Sequence, residues 1–313
     1  MKAFVFPGQG SQFVGMGKDL ADAFPVARET FQEVDDALNQ KLSNIMFEGP
    51  DTDLNLTENT QPALMAVSVA VTRILQQAKP GLLNPAACKY VAGHSLGEYS
   101  ALTAAGSLQL KDTAKLLKIR GQAMQKAVPV GVGAMAAILG LELPDVTAIA
   151  KEASGVEIVS AANDNSFGQI VVSGHKAAVE KAIGLATAKG AKRAILLPVS
   201  APFHCALMQP AADAMRDALA PAALVAPSVP LIANVIASEV IDPATIKKLL
   251  VEQVTGMVRW RESVLYMKQH GVTELIELGA GKVLNGLTKR IDGDLTGRSV
   301  GTPKDIEEFA APL

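Results

Sequence analysis

Cysteine is nearly missing from this sequence, and its scarcity excludes whole classes of protein. Cys88 and Cys205 are the only two in 313 residues. They cannot make a disulfide framework or a metal cluster, and no other stretch has the spacing of metal ligands, so a reducing compartment and no metal site are expected. Aromatic residues make up only 4% of a chain that is 49% hydrophobic, so the core must be aliphatic. Charge is sparse as well, at 19%, and nearly balanced at a formal net of -2. That balance gives no electrostatic reason to expect a nucleic acid or an anionic membrane as partner, and any basic patch must be local. No run of 18 or more apolar residues occurs, and the opening MKAFVFPGQGSQ has the features of neither a signal nor a transit peptide. A cytoplasmic protein without internal repeats is expected, acting as a monomer.

What is present is a rhythm of strand, Gly-rich turn and helix. Residues 2–6 read as a strand ending in Pro7-Gly8-Gln9-Gly10, and 25 to about 78 as mostly helical, with a helix start at Thr60-Gln61-Pro62. Residues 90–92 read as a second buried strand, 93–97 as a tight turn, and 96–105 as a helix stopped by Gly106. Strand-like runs recur at 230–235 and 274–278, which argues for a mostly parallel sheet covered by helices. Between 128 and 199 the order becomes strand (134–139), helix (144–153), strand (156–160), strand (169–173), helix (176–189), strand (193–198). This βαββαβ order is the ferredoxin-like unit, complete in itself. It is read as a domain of residues 128–199 inserted into a larger α/β domain of residues 1–127 and 200–313.

The turn Gly93-His94-Ser95-Leu96-Gly97 has the form Gly-x-Ser-x-Gly. Alone it is weak evidence, since a chain of this length would contain one by chance roughly once in ten times. Its context is stronger: a buried strand before it and a helix after it would hold the hydroxyl on a sharp turn, with the Leu96 N–H and the helix N-terminus aimed where an oxyanion would form. The rival reading is a capping box between Ser95 and Glu98. A second oxyanion donor could come from the Gln9 backbone. A phosphate loop at Gly8-Gln9-Gly10 is excluded because neither Gly-Lys-Ser/Thr nor Gly-x-Gly-x-x-Gly follows.

A serine nucleophile needs a base. His94 is adjacent in sequence and poorly placed to reach the same hydroxyl, His175 opens a helix of the inserted unit, and His270 sits at a helix end beside Gly271. His204 remains, in Pro198-Val-Ser-Ala-Pro-Phe-His204, where the chain returns to the larger domain; a buried structural histidine is the alternative. No Asp or Glu stands in an obvious triad position, so a backbone carbonyl or an amide side chain is expected to orient the ring. Cys205 is read as a small buried residue. In the helical stretch 111–127, Lys111, Lys115, Lys118 and Gln122 mark a polar face, yet Arg120 falls among Leu116, Leu117 and Met124 on the apolar one. Its guanidinium must therefore find an anion inside, either a structural carboxylate or the free carboxylate of a substrate.

Together these residues resemble the malonyl-CoA:acyl carrier protein transacylase family over nearly the whole chain. The blocks that carry the resemblance are Gly8-Gln-Gly-Ser-Gln12, Thr60-Gln-Pro-Ala-Leu64, Gly93-His-Ser-Leu-Gly-Glu98, Arg120-Gly121, Gly131-Val-Gly-Ala-Met-Ala136, Gly168-Gln-Ile-Val-Val-Ser-Gly174, Val199-Ser-Ala-Pro-Phe-His-Cys205 and Glu277-Leu-Gly-Ala-Gly-Lys-Val283. The resemblance implies an α/β hydrolase-like domain with an inserted ferredoxin-like domain and a site in the cleft between them. It implies that Ser95 carries the acyl ester, His204 acts as base and then acid, Arg120 holds the malonyl carboxylate, and Gln9 with Leu96 forms the oxyanion hole. Gln253 matches the position associated with orienting the histidine, while Phe203 and Met124 are expected in the substrate pocket, Phe203 in the form found in malonyl-selective relatives. Phe167, Met257 and Ala280 stand where prolines are usual, which puts local loop shape in doubt. Malonyl-CoA and acyl carrier protein are the implied partners, and no cofactor is implied. The carrier is generally acidic, so Lys192, Arg193, Lys282, Lys289 and Arg290 are candidate contacts. An esterase or phospholipase, and a non-catalytic carrier-binding domain, are the alternatives.

Overall fold

The computed structural model describes residues 1–199 and 201–311. Ser200, at which the second segment of the larger domain is expected to begin, and residues 312–313 lie outside the described residues. Ten strands form two sheets: β1 (Lys2–Phe6), β2 (Tyr90–Gly93), β3 (Gly133–Leu139), β4 (Val159–Ser166), β5 (Gln169–His175), β6 (Arg193–Leu196), β7 (Leu231–Ala233), β8 (Ser238–Val240), β9 (Glu274–Leu278) and β10 (Thr296–Val300). The larger sheet has the order β10-β9-β1-β2-β7-β8, parallel except for β8, which returns antiparallel against β7. The smaller sheet has the order β4-β5-β3-β6 and is antiparallel throughout. The fold is thus a mostly parallel α/β sheet accompanied by a ferredoxin-like sheet.

Strand β1 explains how the larger sheet is buried on both faces. Ala3 and Val5 face a core with Tyr90, Ile232 and Trp260, whereas Phe4 and Phe6 face a second core under the helix Thr57–Ala78. Period-two alternation with both faces apolar is what a central parallel strand requires. The smaller sheet has its own aliphatic core, including Ile138, Ile170, Val172 and Val179.

Four elements depart from the sequence reading. The helix expected to start at Thr60 starts at Thr57 and carries Pro62 inside it, at the loss of one backbone hydrogen bond. Strand β4 begins at Val159 and extends through the polar run Asn163-Asp164-Asn165-Ser166, while Val156 is fully exposed. Arg261 pairs with Asp164 and His94 with Asn165, contacts from outside the strand that override its poor strand preference. Strands β8 and β10 were not legible, being short, polar and at sheet edges.

Candidate active site

The register of β1 against β2 pairs Phe6 with Gly93, so the segments Pro7–Gln9 and His94–Ser95 leave the same edge of the sheet side by side, tied by His94 N–H to Phe6 O at 3.0 Å. Both glycines of the turn are required by space. A Cβ on Gly93 would lie 1.8 Å from the Gly97 carbonyl carbon, and one on Gly97 would lie 2.3 Å from Phe6 O. This close packing drives Ser95 into the left-handed region at φ 54°, a strained position for a residue with a Cβ and one that recurs at functional turns.

Ser95 does not cap the helix that follows. Leu96 is the N-cap of Gly97–Ala104, with no side-chain cap bond. The Glu98 carboxylate accepts instead from the Asn234 backbone N–H. The capping-box reading therefore does not form. The Asn234 side chain clamps the turn from β7, accepting from Ser95 N–H at 2.8 Å and donating to Gly93 O at 2.7 Å, while Gln253 Nε2 donates to Ser95 O at 2.9 Å.

The Ser95 Oγ lies 2.8 Å from His204 Nε2, and His204 Nδ1 lies 2.8 Å from the Gln253 backbone carbonyl. A carbonyl can only accept, so Nδ1 carries the proton and Nε2 presents its lone pair to the serine hydroxyl. Of the two orienting groups open from sequence, the main-chain carbonyl takes the role. Burial, then the positive charge of Arg120, push the His204 pKa down to about 3, against the opposing Gln253 carbonyl. The ring is a neutral base over the physiological range. His94 turns away to Asn165 Oδ1 at 2.8 Å, His175 Nδ1 accepts from Ile158 N–H, and His270 bonds the Tyr266 carbonyl.

Arg120 is 1% exposed and reaches the same hydroxyl, its NH2 group 3.1 Å from Ser95 Oγ. Its other acceptors are both neutral: Gln61 Oε1 at 2.9 Å and Gln253 Oε1 at 2.8 Å. No carboxylate forms an ion pair with it among the described residues. Burial pulls its pKa down, opposed by the nearby Tyr99 and Glu98. Burial likewise pushes the Glu98 carboxyl up to about 8, although the Asn234 N–H and Arg120 hold it back.

These groups surround a cavity of about 180 Å³ whose lining includes Gln9, Ser95, Leu96, Arg120, Met124, Phe203 and His204, closed on the far side by Met135, Asn163, Asn165 and Val171 of the smaller sheet. The backbone N–H groups of Gln9 and Leu96 take no acceptor among the described residues. The five candidate carrier contacts do not form one cluster. Lys192 and Arg290 line a separate cleft, Lys282 lines another beside Phe13, and Arg193 and Lys289 are exposed next to the first pair in sequence. The sequence reading missed Asn234 and assigned Gln61 no role. The polar residue interrupting the apolar run 230–235, just past β7 at the carboxyl edge of the sheet, was the available signal for Asn234.

A buried neutral imidazole on a serine hydroxyl, beside two open backbone donors and an inward cation, defines a site built for nucleophilic acyl transfer. The comparisons agree with that class. Residues 3–288 match the family model described as acyl transferase domain. A malonyl CoA-acyl carrier protein transacylase of Haemophilus influenzae is 48% identical over 309 residues, covering 99% of this chain and 97% of the relative. The crystal structure of an acyl-carrier-protein S-malonyltransferase from Bartonella henselae is 56% identical, with a TM-score of 0.96 and 98% of each chain covered. A malonyl-transacylase in complex with its type II PKS acyl-carrier protein is 44% identical, with a TM-score of 0.94 over 97% of each chain. The chain belongs to the malonyl-CoA:acyl carrier protein transacylase family.

Proposed function

We propose that this protein transfers a malonyl group from malonyl-CoA to the phosphopantetheine thiol of acyl carrier protein, through a malonyl ester on Ser95. The observation that carries this reading is Arg120: a buried cation held by two amides and the nucleophile's own hydroxyl lines a cavity, and no carboxylate among the described residues pairs with it. A neutral ester would leave that charge unused, which disfavours an esterase.

In the first half-reaction His204 Nε2 takes the Ser95 proton as Oγ bonds to the thioester carbon. The Gln9 and Leu96 N–H groups receive the oxyanion. The C–S bond then breaks, and His204 returns the proton to the departing coenzyme A sulfur. In the second half-reaction the carrier thiol gives its proton to His204 and attacks the ester, and Ser95 leaves with that proton. One thioester is exchanged for another, so the chemistry calls for no redox cofactor or metal. Phe203 and Met124 bound the acyl pocket. Residues 128–199 act as the inserted unit that closes the cleft over the intermediate and excludes water, and the cytoplasm is the proposed location. Among the described residues no helix is long and apolar enough to cross a membrane.

Replacing Arg120 with Ala tests the reading. Malonyl transfer is expected to lose roughly 100-fold or more in kcat/KM, the worth of a buried charge-assisted bidentate contact, with acetyl transfer much less affected. Equal losses for both would make Arg120 structural.

A further inference from the structure

Arg120 is held by neutral groups, and the local packing makes that choice of residue visible. Gly121 allows the helix Leu110–Lys126 to approach the first turn of the helix Thr57–Ala78 at backbone distance. A Cβ there would fall 2.5 Å from Glu58 Cα and 2.7 Å from Thr57 O. The approach brings Gln61, itself 1% exposed, against the guanidinium. Its amide cannot flip without penalty: Oε1 accepts from Arg120 NH1 at 2.9 Å, while Nε2 points to the Met124 thioether sulfur at 3.6 Å, a weak acceptor. The buried Arg120 Nε has no partner among the described residues, so the guanidinium keeps unused donor capacity. The carboxylate that comes near, Glu98, is engaged by the Asn234 N–H.

We infer that Gln61 is a specificity-determining positioning residue: its neutral carbonyl fixes the plane of Arg120 without cancelling the charge, and so sets the preference for an acyl group ending in a carboxylate over a neutral one. This rests on the proposed malonyl transfer. A carboxylate has nearly the same shape at position 61 and would accept the same bond, but it would neutralise the guanidinium and repel the incoming carboxylate. A neutral acyl group makes no bond to that charge, so its transfer loses only what the charge does for Ser95 and His204, and the larger loss falls on the carboxylate-bearing group. The amide is therefore a discriminating choice, where a structural arginine would be served as well or better by an acid.

The test compares wild type, Gln61→Glu and Gln61→Met for Ser95 acylation and carrier transfer with malonyl-CoA and with acetyl-CoA. For Gln61→Glu the malonyl-to-acetyl ratio of kcat/KM is expected to fall roughly 100-fold, the effect of pairing a buried charge-assisted donor, with malonyl transfer losing far more than acetyl transfer. Gln61→Met removes the acceptor but leaves the charge, so the ratio is expected to fall roughly tenfold. An unchanged ratio in either variant would overturn the inference, because a packing role moves both substrates together. Should Gln61→Glu fail to fold, as judged by circular dichroism and thermal unfolding, Gln61→Met carries the test alone. Failure of the wild-type protein to form malonyl-serine is a different result, and it would overturn the proposed function itself.

Discussion

The proposed reacting pair stands on two strained residues, Ser95 at φ 54° and His204 at φ 57°. Each such position costs on the order of 1 kcal/mol, so the surrounding hydrogen bonds must hold it. The charge of Arg120 reaches both partners. It donates to the serine hydroxyl and adds to burial in holding the His204 pKa at about 3. The sign of the resulting pH dependence follows. As the proposed base, His204 works unprotonated, so acid inactivation through it begins only as the pH falls toward its pKa, and removing the neighbouring cation raises that pKa. In acetyl transfer, Arg120→Gln is expected to move the acidic limb of the kcat/KM profile to higher pH than in wild type. An unmoved limb would separate Arg120 from the base. Arg120 and His204 were legible as members of the site for different reasons, Arg120 as a charge on an apolar face and His204 as the histidine left after three others were placed. Gln61 and Asn234 break no pattern strongly. Neutral amides are tolerated in many settings, and only the fold shows what they touch.

The nucleophile turn belongs to three elements rather than one. β2 delivers it, the helix Gly97–Ala104 closes it, and Asn234 at the end of β7 ties its two sides together. Replacing Asn234 with Ala would strand the part-buried Ser95 N–H and the buried Gly93 carbonyl, with an expected stability loss of about 2 kcal/mol. Because the hydroxyl then loses its fixed position while the acyl pocket stays intact, kcat should fall well below wild type with little change in KM. A rise in KM at constant kcat would count against this role. The strand, turn and helix were legible from glycine spacing and apolar runs. The boundaries at Thr57 and β4 were not, because tertiary contacts decide both. The helix accepts Pro62 within an almost wholly buried segment, and the polar end of β4 is paid for by Arg261 on Asp164 at 2.8 Å and by His94 on Asn165.

At the scale of the molecule those same contacts join the two sheets. Asp164 N–H donates to Val258 O and Val258 N–H to Ala162 O, both at 2.9 Å, so β4 is stitched directly to the segment that precedes Trp260. The βαββαβ order of the smaller sheet was legible in the sequence; the face it presents to Ser95 was not, since strand order carries no information about docking. Arg290, on the helix Val283–Ile291, spans the same seam from the other side through Gln169 Oε1 at 3.2 Å and shares a cleft with Lys192. For an acidic carrier, Lys192→Glu with Arg290→Glu is expected to raise the carrier KM at low salt, by roughly tenfold, with the difference shrinking as salt screens the surface. Unchanged carrier kinetics at low salt would remove this pair from the docking surface. The central claim is tested most directly by intact-mass measurement of the protein mixed with malonyl-CoA and then with acyl carrier protein. The account predicts a gain of one malonyl group, its loss on adding carrier with matching gain by the carrier, and no gain in Ser95→Ala. Labelling that survives Ser95→Ala, or release of the group to water alone, would contradict it.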